Sequence, residues 1–368
     1  MIANVLVKNA WYLAGLSPEF PSGHLTGQVI AEKPLVLWRT AEGKMVGFDD
    51  RCCHKRMPVS AGRFIEEDLL ECSYHGLCYD ATGQCVRVPS HPDGHIPPRA
   101  QLRPVPLIEQ DGLVWVWPGD PAKAAAITPP RLPEMVDPAW ETHDVQGPMP
   151  VPANTLLLIE NLLDITHFYP LHDGNIGDVE NSRIPIKVEE GKADDGTPFV
   201  GTVREVRNYR QPPYLEEYFG YDMVDRHHTH FMLSPGLTRV KMRVWPAGRM
   251  GEDAVERGYV INHTHTPIDR RNHVWHLIVS MPRGMMCKSE PSKTAVSRFV
   301  ETFPSVIAED RWALEKQQKM FDYPDDGYVE VFLKPDTALR RARLILNRLE
   351  RQETPEVEKA AEKPAAAE

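Results

Sequence analysis

Four potential metal ligands between residues 52 and 75 restrict the possible folds of this chain more than any other feature. Cys52 and His54 form a C-x-H arm, and Cys72 and His75 form a C-x-x-H arm further along the chain. Each arm offers one thiolate and one imidazole, which are common ligands of transition metals in proteins. Two such arms can close on one metal centre from opposite sides, so we expect tight turns and short strands around them.

A set of two cysteines and two histidines is typical of two different metal centres. One is a structural zinc site; the other is a Rieske [2Fe–2S] cluster, in which two histidines replace two cysteines on one iron. Zinc fingers usually pair cysteine with cysteine in one arm and histidine with histidine in the other. Here each arm mixes the two, so each can give its cysteine to one iron and its histidine to the other. The order favours the iron–sulfur cluster, with zinc as the alternative.

Size and charge exclude several classes of protein. The chain has 368 residues, enough for two domains with separate cores. A formal net charge of −10 without a basic stripe argues against a nucleic-acid partner. We expect no membrane span, because no apolar run approaches about 18 residues. The first residues lack the pattern of a signal peptide, so we expect a cytoplasmic protein whose cysteines are free thiols.

The order of apolar runs and turns predicts two domains. Residues 1–118 contain short apolar runs separated by turns, which predicts a small antiparallel β domain around the four ligands. Residues 119–150 are rich in proline and alanine and are interpreted as a connecting segment. Residues 151–350 form the second predicted domain. Residues 351–368 are a Glu/Ala/Lys/Pro run without aromatics, for which we expect disorder.

The second domain changes its periodicity twice along the chain. A helical pattern begins near Thr155, and Pro170 is expected to end that helix at Tyr169. Residues 184–282 then alternate in six candidate strands, which predicts one curved antiparallel sheet. A second helical stretch follows from about residue 292. The expected fold class is therefore α+β, with a curved sheet and flanking helices.

A second group of potential metal ligands lies in the first helix of this domain. Asp164 and His167 are three residues apart and would share a helix face. Once Pro170 has ended the helix, a turn could bring His172 back beside His167. The alternative is that these are solvated surface residues. Polar groups within an otherwise apolar helix cost free energy unless they have partners, which favours a metal site.

A carboxylate from the late helix is expected to complete this site. Asp310 shares an apolar face with Val306 and Ile307, whereas Glu309 and Glu315 fall nearer the solvent side. A lone aspartate on a core face needs a cation. Asp310 is therefore the predicted ligand, and a helix surface charge is the alternative.

The two groups together resemble the Rieske non-haem iron oxygenases over nearly the whole chain. The pattern N-x-x-D-x-x-H-x-x-x-x-H, with Asn161, Asp164, His167 and His172, is similar to the mononuclear iron motif of that family. NAWYLAG near the start resembles the group of vanillate and dicamba O-demethylases. The resemblance implies a helix-grip (START-like) catalytic domain. It also implies that a Rieske cluster is held by Cys52, His54, Cys72 and His75, and a catalytic Fe(II) by His167, His172 and Asp310.

The resemblance also implies an activity and partners. The expected reaction uses O2 and electrons from a separate NAD(P)H-dependent reductase or ferredoxin to oxidise a small aromatic compound, by O- or N-dealkylation. A homotrimer is implied, in which Asp164 joins His75 of one subunit to His167 of the next. Asp164 and Asn161 are the expected catalytic residues. His263 and Ser234 match substrate contacts by position, the alternative being ordinary sheet residues.

The sequence leaves three alternative functions. A ring-hydroxylating dioxygenase of phthalate type is the rival among enzymes. A Rieske electron carrier is a rival from another class, although the second metal motif speaks against it. A zinc-stabilised ligand-binding protein is the third, and it would be colourless, whereas a Rieske protein is red-brown.

Overall fold

The computed structural model describes residues 4–321, 323–324 and 327–353, which form two compact units. The small unit consists of residues 10–131, and the large unit consists of residues 4–9 together with 132 onward. The predicted connecting segment, 119–150, is thus shared between the two units.

The small unit contains three antiparallel sheets of short strands, paired as β1–β10–β9, β2–β3–β4 and β5–β6–β7–β8. Its elements are β1 (Tyr12–Leu16), β2 (Thr26–Ile30), β3 (Lys33–Arg39), β4 (Met45–Asp49), β5 (Arg63–Glu66), β6 (Leu69–Glu71), β7 (Cys78–Tyr79), β8 (Cys85–Arg87), β9 (Leu107–Gln110), β10 (Leu113–Val116) and the short helix α1 (Pro121–Ala124). Strand residues with β-branched and aromatic side chains fill the core, where Trp38 and Trp115 are fully buried.

The large unit is built on one eight-stranded antiparallel sheet, in the order β11–β18–β17–β16–β15–β14–β13, with β12 also paired to β18. Its strands are β11 (Trp140–Asp144), β12 (Met149–Val151), β13 (Lys187–Lys192), β14 (Pro198–Arg210), β15 (Met223–Ser234), β16 (Leu237–Pro246), β17 (Arg257–Pro267) and β18 (His273–Pro282). The six strands predicted between residues 184 and 282 are confirmed. Two further strands of the sheet, β11 and β12, lie in or at the end of the predicted connecting segment. They were not predicted, because β11 (WETHD) does not alternate apolar with polar residues.

Helices flank this sheet, so the expected α+β fold class is confirmed. They are α2 (Thr155–Leu163), α3 (Phe168–Leu171), α4 (Val179–Ser182), α5 (Pro213–Phe219), α6 (Ala295–Thr302), α7 (Pro304–Met320) and α8 (Thr337–Glu353). Among the described residues, no helix has both the length and the apolar character needed to span a membrane.

The end of helix α2 differs from the prediction. The helix ends at Leu163, not at Tyr169, and Pro170 lies in the first turn of α3. Proline is tolerated there because the first residues of a helix have no intrahelical partner for their N–H groups. The chain leaves α2 because Asp164 is extended, and its Oδ1 accepts hydrogen bonds from Thr166 N (2.8 Å) and Thr166 Oγ1 (2.5 Å). Asp164 and His167 therefore do not share one helix.

The first described residues are held by the last helix. The amide of Leu6 donates to Glu350 (3.1 Å), and the amides of Lys8 and Asn9 donate to Glu353 (2.8 and 2.5 Å). These carboxylates lie in the last turn of α8, which includes residues 351–353 of the predicted disordered tail. The remainder of that tail, 354–368, lies outside the described residues.

Candidate metal centres

Two loops of the small unit have the same backbone hydrogen bonds. In the first, Cys52 N donates to Met57 O (2.9 Å), and Arg56 N donates to Cys52 O (3.0 Å). In the second, Cys72 N donates to Leu77 O (2.9 Å), and Gly76 N donates to the Cys72 carbonyl (3.0 Å). The fourth residue after each cysteine is left-handed, with φ of 58° at Arg56 and 72° at Gly76. The two arms predicted from spacing are therefore matching tight loops.

The loops separate thiols from imidazoles. Cys52 and Cys72 are both buried. Burial raises the pKa of the Cys72 thiol, and the nearby Cys52 adds to the rise. His54 and His75 are exposed, with ring centroids 4.4 Å apart. A buried thiol pair beneath an exposed imidazole pair fits a [2Fe–2S] cluster with cysteines on the inner iron and histidines on the outer.

The other cysteines of the small unit are free thiols. Cys53 adjoins Cys52 but is exposed, and the Tyr79 hydroxyl lies 3.1 Å from the Cys52 sulfur and 3.2 Å from the Cys53 sulfur. Burial strongly raises the pKa of the Tyr79 hydroxyl, so it stays protonated and can donate to the sulfur. Hydrogen bonds to cluster sulfurs are one of the factors that set reduction potential.

The second predicted group converges in the large unit. His167 Nε2 lies 3.5 Å from Asp310 Oδ1, and His172 Nε2 lies 3.1 Å from the same oxygen. One ligand atom from each of the three residues can be chosen so that all lie within 4.8 Å of one another. Two imidazoles and one carboxylate meeting at one point form the donor set of non-haem Fe(II) sites. The residues present therefore fit a mononuclear iron.

Glu309 contacts the far nitrogen of His172. Its Oε2 lies 2.6 Å from His172 Nδ1. Because a carboxylate only accepts, Nδ1 carries a hydrogen and donates it to Glu309, which leaves Nε2 facing Asp310 as the nitrogen that could ligate a metal. Burial alone would lower the pKa of His172, but the carboxylates of Asp310 and Glu309 outweigh burial and raise it. Sequence reasoning treated Glu309 only as a competing ligand and missed its role as a partner of His172.

Asp310 is buried on the inner face of α7 and has a third contact. Asn161 Nδ2 donates to its Oδ1 at 3.0 Å. Burial would raise the pKa of Asp310, but the hydrogen bond with His172 and the nearby His167 outweigh that effect and lower it. The carboxyl group is therefore held in its ionised form.

Asp164 lies on the opposite side of His167 from Asp310. Its Oδ2 is 3.9 Å from His167 Nδ1, a ring nitrogen that is buried and has no hydrogen-bond partner among the described residues. The Asp164 side chain keeps 24% exposure. Burial lowers the pKa of His167, and the carboxylates of Asp310 and Asp164 oppose that shift. Asp164 therefore lies between the imidazole ring of His167 and the protein surface.

Side chains of the sheet hold the end of α2 next to the triad. His230 Nδ1 lies 2.6 Å from the Leu162 carbonyl, and Thr202 Oγ1 donates to the Leu163 carbonyl at 3.1 Å. Arg204 Nη1 donates to the Ile165 carbonyl at 3.3 Å. Carbonyls at a helix C-terminus lack intrahelical donors, and these three strand residues supply them. Sequence periodicity alone contained no signal for these contacts.

A cavity adjoins the triad. It encloses an empty volume of about 410 Å³, including the part open to solvent. Its wall is mostly apolar, with residues such as Phe168, Ile176 and Ile261. Of the two predicted substrate contacts, His263 lies in the wall, whereas Ser234 is not among the lining residues. Ser234 instead receives the Gly236 amide (3.3 Å) in the β15–β16 turn.

Comparison with known families agrees with this geometry. Residues 10–106 match the Rieske [2Fe-2S] domain. Residues 151–352 match the vanillate O-demethylase oxygenase C-terminal domain. The chain is a Rieske non-haem iron oxygenase.

Relatives of this oxygenase match more than nine-tenths of the chain. It is 27% identical to the toluene-4-sulfonate monooxygenase system iron-sulfur subunit TsaM1 of Comamonas testosteroni, over 94% of this chain and 97% of the relative. Identity to the vanillate O-demethylase oxygenase subunit of Pseudomonas sp. (strain HR199 / DSM 7063) is also 27%, over 93% and 94%. A crystal structure of dicamba monooxygenase bound to dicamba superposes with a TM-score of 0.81, at 28% identity over 95% of this chain and 99% of that one.

Family membership settles the enzyme class and the cofactors. The oxygenase is an oxidoreductase that uses a Rieske [2Fe–2S] cluster and a mononuclear non-haem iron. The expectations for family, enzyme class and cofactors are therefore confirmed. A pure electron carrier and a zinc-stabilised binding protein are set aside, because most of the chain matches an oxygenase domain.

A conservative change at Glu309 tests its part in the iron site. Glu309→Gln removes the charge beside His172 Nδ1 and is expected to weaken iron binding about 10- to 100-fold, the usual effect of losing a partner of a ligand. Iron content is measured after dialysis against graded chelator concentrations. Glu315→Gln is the matched control, since Glu315 lies on the same helix and pairs with Arg311 (2.7 Å). Unchanged iron retention in Glu309→Gln would contradict the assignment.

Proposed function

We propose that this oxygenase carries out the oxidative O- or N-dealkylation of a small aromatic compound. The observation that carries the proposal is the apolar cavity whose wall includes His167, His172 and Asp310. An aromatic ring buried there would place an alkyl substituent beside the three side chains. Relatives that are named for vanillate O-demethylation and for dicamba support the choice of reaction.

The proposed ligands follow from the two convergent groups. The cluster would be held by Cys52, His54, Cys72 and His75, and the mononuclear iron by His167, His172 and Asp310. When bound, the cluster supplies single electrons and the mononuclear iron activates O2.

The remaining residues of the site position these ligands. Asn161 would hold the Asp310 carboxylate through its 3.0 Å hydrogen bond, and Glu309 would keep the His172 ring in one orientation and one tautomer. Apolar side chains such as Phe168 and Ile307 exclude water from the space beside the triad.

The proposed partners are a separate NAD(P)H-dependent reductase and, in some arrangements, a ferredoxin. The chain contains no G-x-G-x-x-G dinucleotide pattern. The names of its relatives describe subunits of larger systems. The proposed location is the cytoplasm, where a reducing environment keeps cysteines free, as all six are here.

We further propose that the working form is a homotrimeric ring. In it, Asp164 would accept hydrogen bonds from His167 of its own subunit and from His75 of a neighbouring copy. Two observations support this: His75 is exposed, and the Asp164 side chain is partly exposed while facing His167. Head-to-tail contacts of this kind close into rings.

Asp164→Asn tests the proposed electron route. The change keeps the shape of the side chain but removes the charge between two imidazoles, so cluster reoxidation should slow at least about tenfold, the lower limit for losing a partner of a metal ligand. Both metals should still load, since Asp164 ligates neither. The measurement is rapid-mixing spectroscopy of the reduced protein with O2 and substrate. Asp173→Asn is the control, and wild-type reoxidation in Asp164→Asn would show another route.

A substrate screen tests the proposed reaction. Holoenzyme is combined with NADH, a reductase and methoxy- or N-methyl-substituted aromatics, including vanillate and dicamba. The expected result is substrate-dependent O2 uptake with release of one formaldehyde per substrate consumed. Formation of a cis-diol without formaldehyde would contradict dealkylation and identify a ring-hydroxylating dioxygenase.

A further inference from the structure

Three histidines that are not part of the triad line the cavity. His228 and His230 project inward from β15, and His263 projects inward from β17. All three are buried. Their hydrogen bonds determine which ring nitrogens carry a hydrogen and therefore which substrate groups they can bind.

The arrangement starts at the end of helix α2. His230 Nδ1 lies 2.6 Å from the carbonyl oxygen of Leu162, which can only accept. Nδ1 therefore carries a hydrogen and donates it. Burial lowers the pKa of His230 to about 3, so the ring is neutral near pH 7. In a neutral ring with Nδ1 protonated, Nε2 is an acceptor.

His228 takes the opposite tautomer as a result. Its Nε2 lies 2.9 Å from Nε2 of His230. Because the His230 nitrogen is an acceptor, His228 Nε2 must donate. Burial, His230 and the positive charge of Arg226 lower the pKa of His228 well below its usual value. The ring is neutral, so its Nδ1 keeps a lone pair.

That lone pair is available to a ligand. Among the described residues, no hydrogen-bond donor reaches His228 Nδ1. This nitrogen is also not among the fully buried polar atoms that lack a hydrogen-bond partner. His228 contacts open space in the cavity that it lines. The pair therefore presents one hydrogen-bond acceptor to the cavity.

His263 presents a donor instead. The indole Nε1–H of Trp275 can only donate, and it lies 3.2 Å from His263 Nδ1. Burial lowers the pKa of His263 to about 3, so the ring is neutral and its hydrogen lies on Nε2. No lysine or arginine lines the cavity among the described residues.

We propose that His228 is a specificity residue that accepts a hydrogen bond from a hydroxyl or N–H group on the aromatic substrate, while His263 donates to a second polar group. The preferred substrate is then an alkylated phenol or an aromatic compound with an N–H group. The inference rests on the proposed dealkylation. A site built around a hydroxyl group rejects the analogue without it, because a polar atom of the site is left unpaired.

Two probe pairs that differ by one hydroxyl group test this. Guaiacol is compared with anisole, and vanillate is compared with 3-methoxybenzoate, so that the second pair adds a carboxylate. Binding to the holoenzyme is measured by calorimetry, and kcat/KM is measured by formaldehyde release. The hydroxylated member of at least one pair should be preferred by about tenfold or more. Equal affinity and equal kcat/KM for the two members of both pairs, or no binding by any of the four probes, would overturn the proposal.

A variant assigns the preference to one side chain. His228→Phe removes the acceptor and should reduce the preference to within about twofold, through weaker binding of the hydroxylated member. His227→Phe is the control, since His227 lies next to it on the other face of β15. Iron content and the cluster spectrum report on folding. A preference that persists in a folded His228→Phe protein would overturn the assignment. If the variant fails to fold, the comparison of the two probe pairs in the wild-type protein still tests the proposal.

The readouts separate this inference from the proposed function. Selective binding of the hydroxylated probes without formaldehyde release would support the role of His228 and contradict dealkylation. Equal formaldehyde release from both members of each pair would support dealkylation and contradict the role of His228.

Discussion

Asp310→Ala is expected to remove the mononuclear iron and abolish turnover while the cluster spectrum stays intact. Asp310 is the anionic member of the triad, and its Oδ1 lies 3.1 and 3.5 Å from the two imidazole nitrogens. Without it, two neutral imidazoles remain to hold a divalent cation. Iron affinity should fall by more than about 100-fold, since losing a mere partner of a ligand already costs about 10- to 100-fold.

Metal analysis, the visible spectrum and formaldehyde release together measure this effect. The cluster spectrum shows that the chain has folded and that the two centres load separately. Glu315→Ala is the control, because it removes a partly exposed carboxylate from the same helix. If Asp310→Ala kept iron and activity whereas Glu309→Ala lost both, the ligand would be Glu309.

Cys52→Ser is expected to remove the red-brown absorption, the Rieske EPR signal and all reductase-dependent turnover. The thiolates of Cys52 and Cys72 are the proposed ligands of the inner iron, and a serine hydroxyl is a poor substitute for a thiolate.

The adjacent cysteine makes a closely matched control. Cys53→Ser changes a neighbouring, exposed thiol that also lies within 3.2 Å of the Tyr79 hydroxyl. This variant should keep the cluster and its EPR signal. Loss of the cluster in Cys53→Ser, with retention in Cys52→Ser, would reverse the assignment of ligand and neighbour.

Much of the fold could be predicted from local patterns. Alternating sequence patterns located the six central strands, and in β15 the side chains do alternate between buried and partly exposed positions over most of the strand. The loops around Cys52 and Cys72 were indicated by the spacing of the four ligands. Asp310 stood out because it interrupts the buried face of α7, which includes Val306 and Leu314.

The features that were missed depend on contacts between distant residues. The end of α2 is held by Thr202, Arg204 and His230, which come from strands far along the chain. A local signal for this end was present in the D-x-T pattern of Asp164 and Thr166, because the aspartate side chain accepts from the Thr166 amide. Histidines alternate along β15, but which of them face the triad depends on how the sheet is placed against α2.

The pairing of the first residues with helix α8 sets an order of events during synthesis. Leu6 and Glu350 are separated by 344 residues. At about 5–20 residues per second, a ribosome needs about 20–70 s to produce the second after the first. All strands of the small unit lie within residues 10–131, so they are complete early. The first residues cannot pair with α8 until that helix emerges. A nascent chain would therefore carry the metal-binding loops of the small unit well before the last helix of the large unit is made.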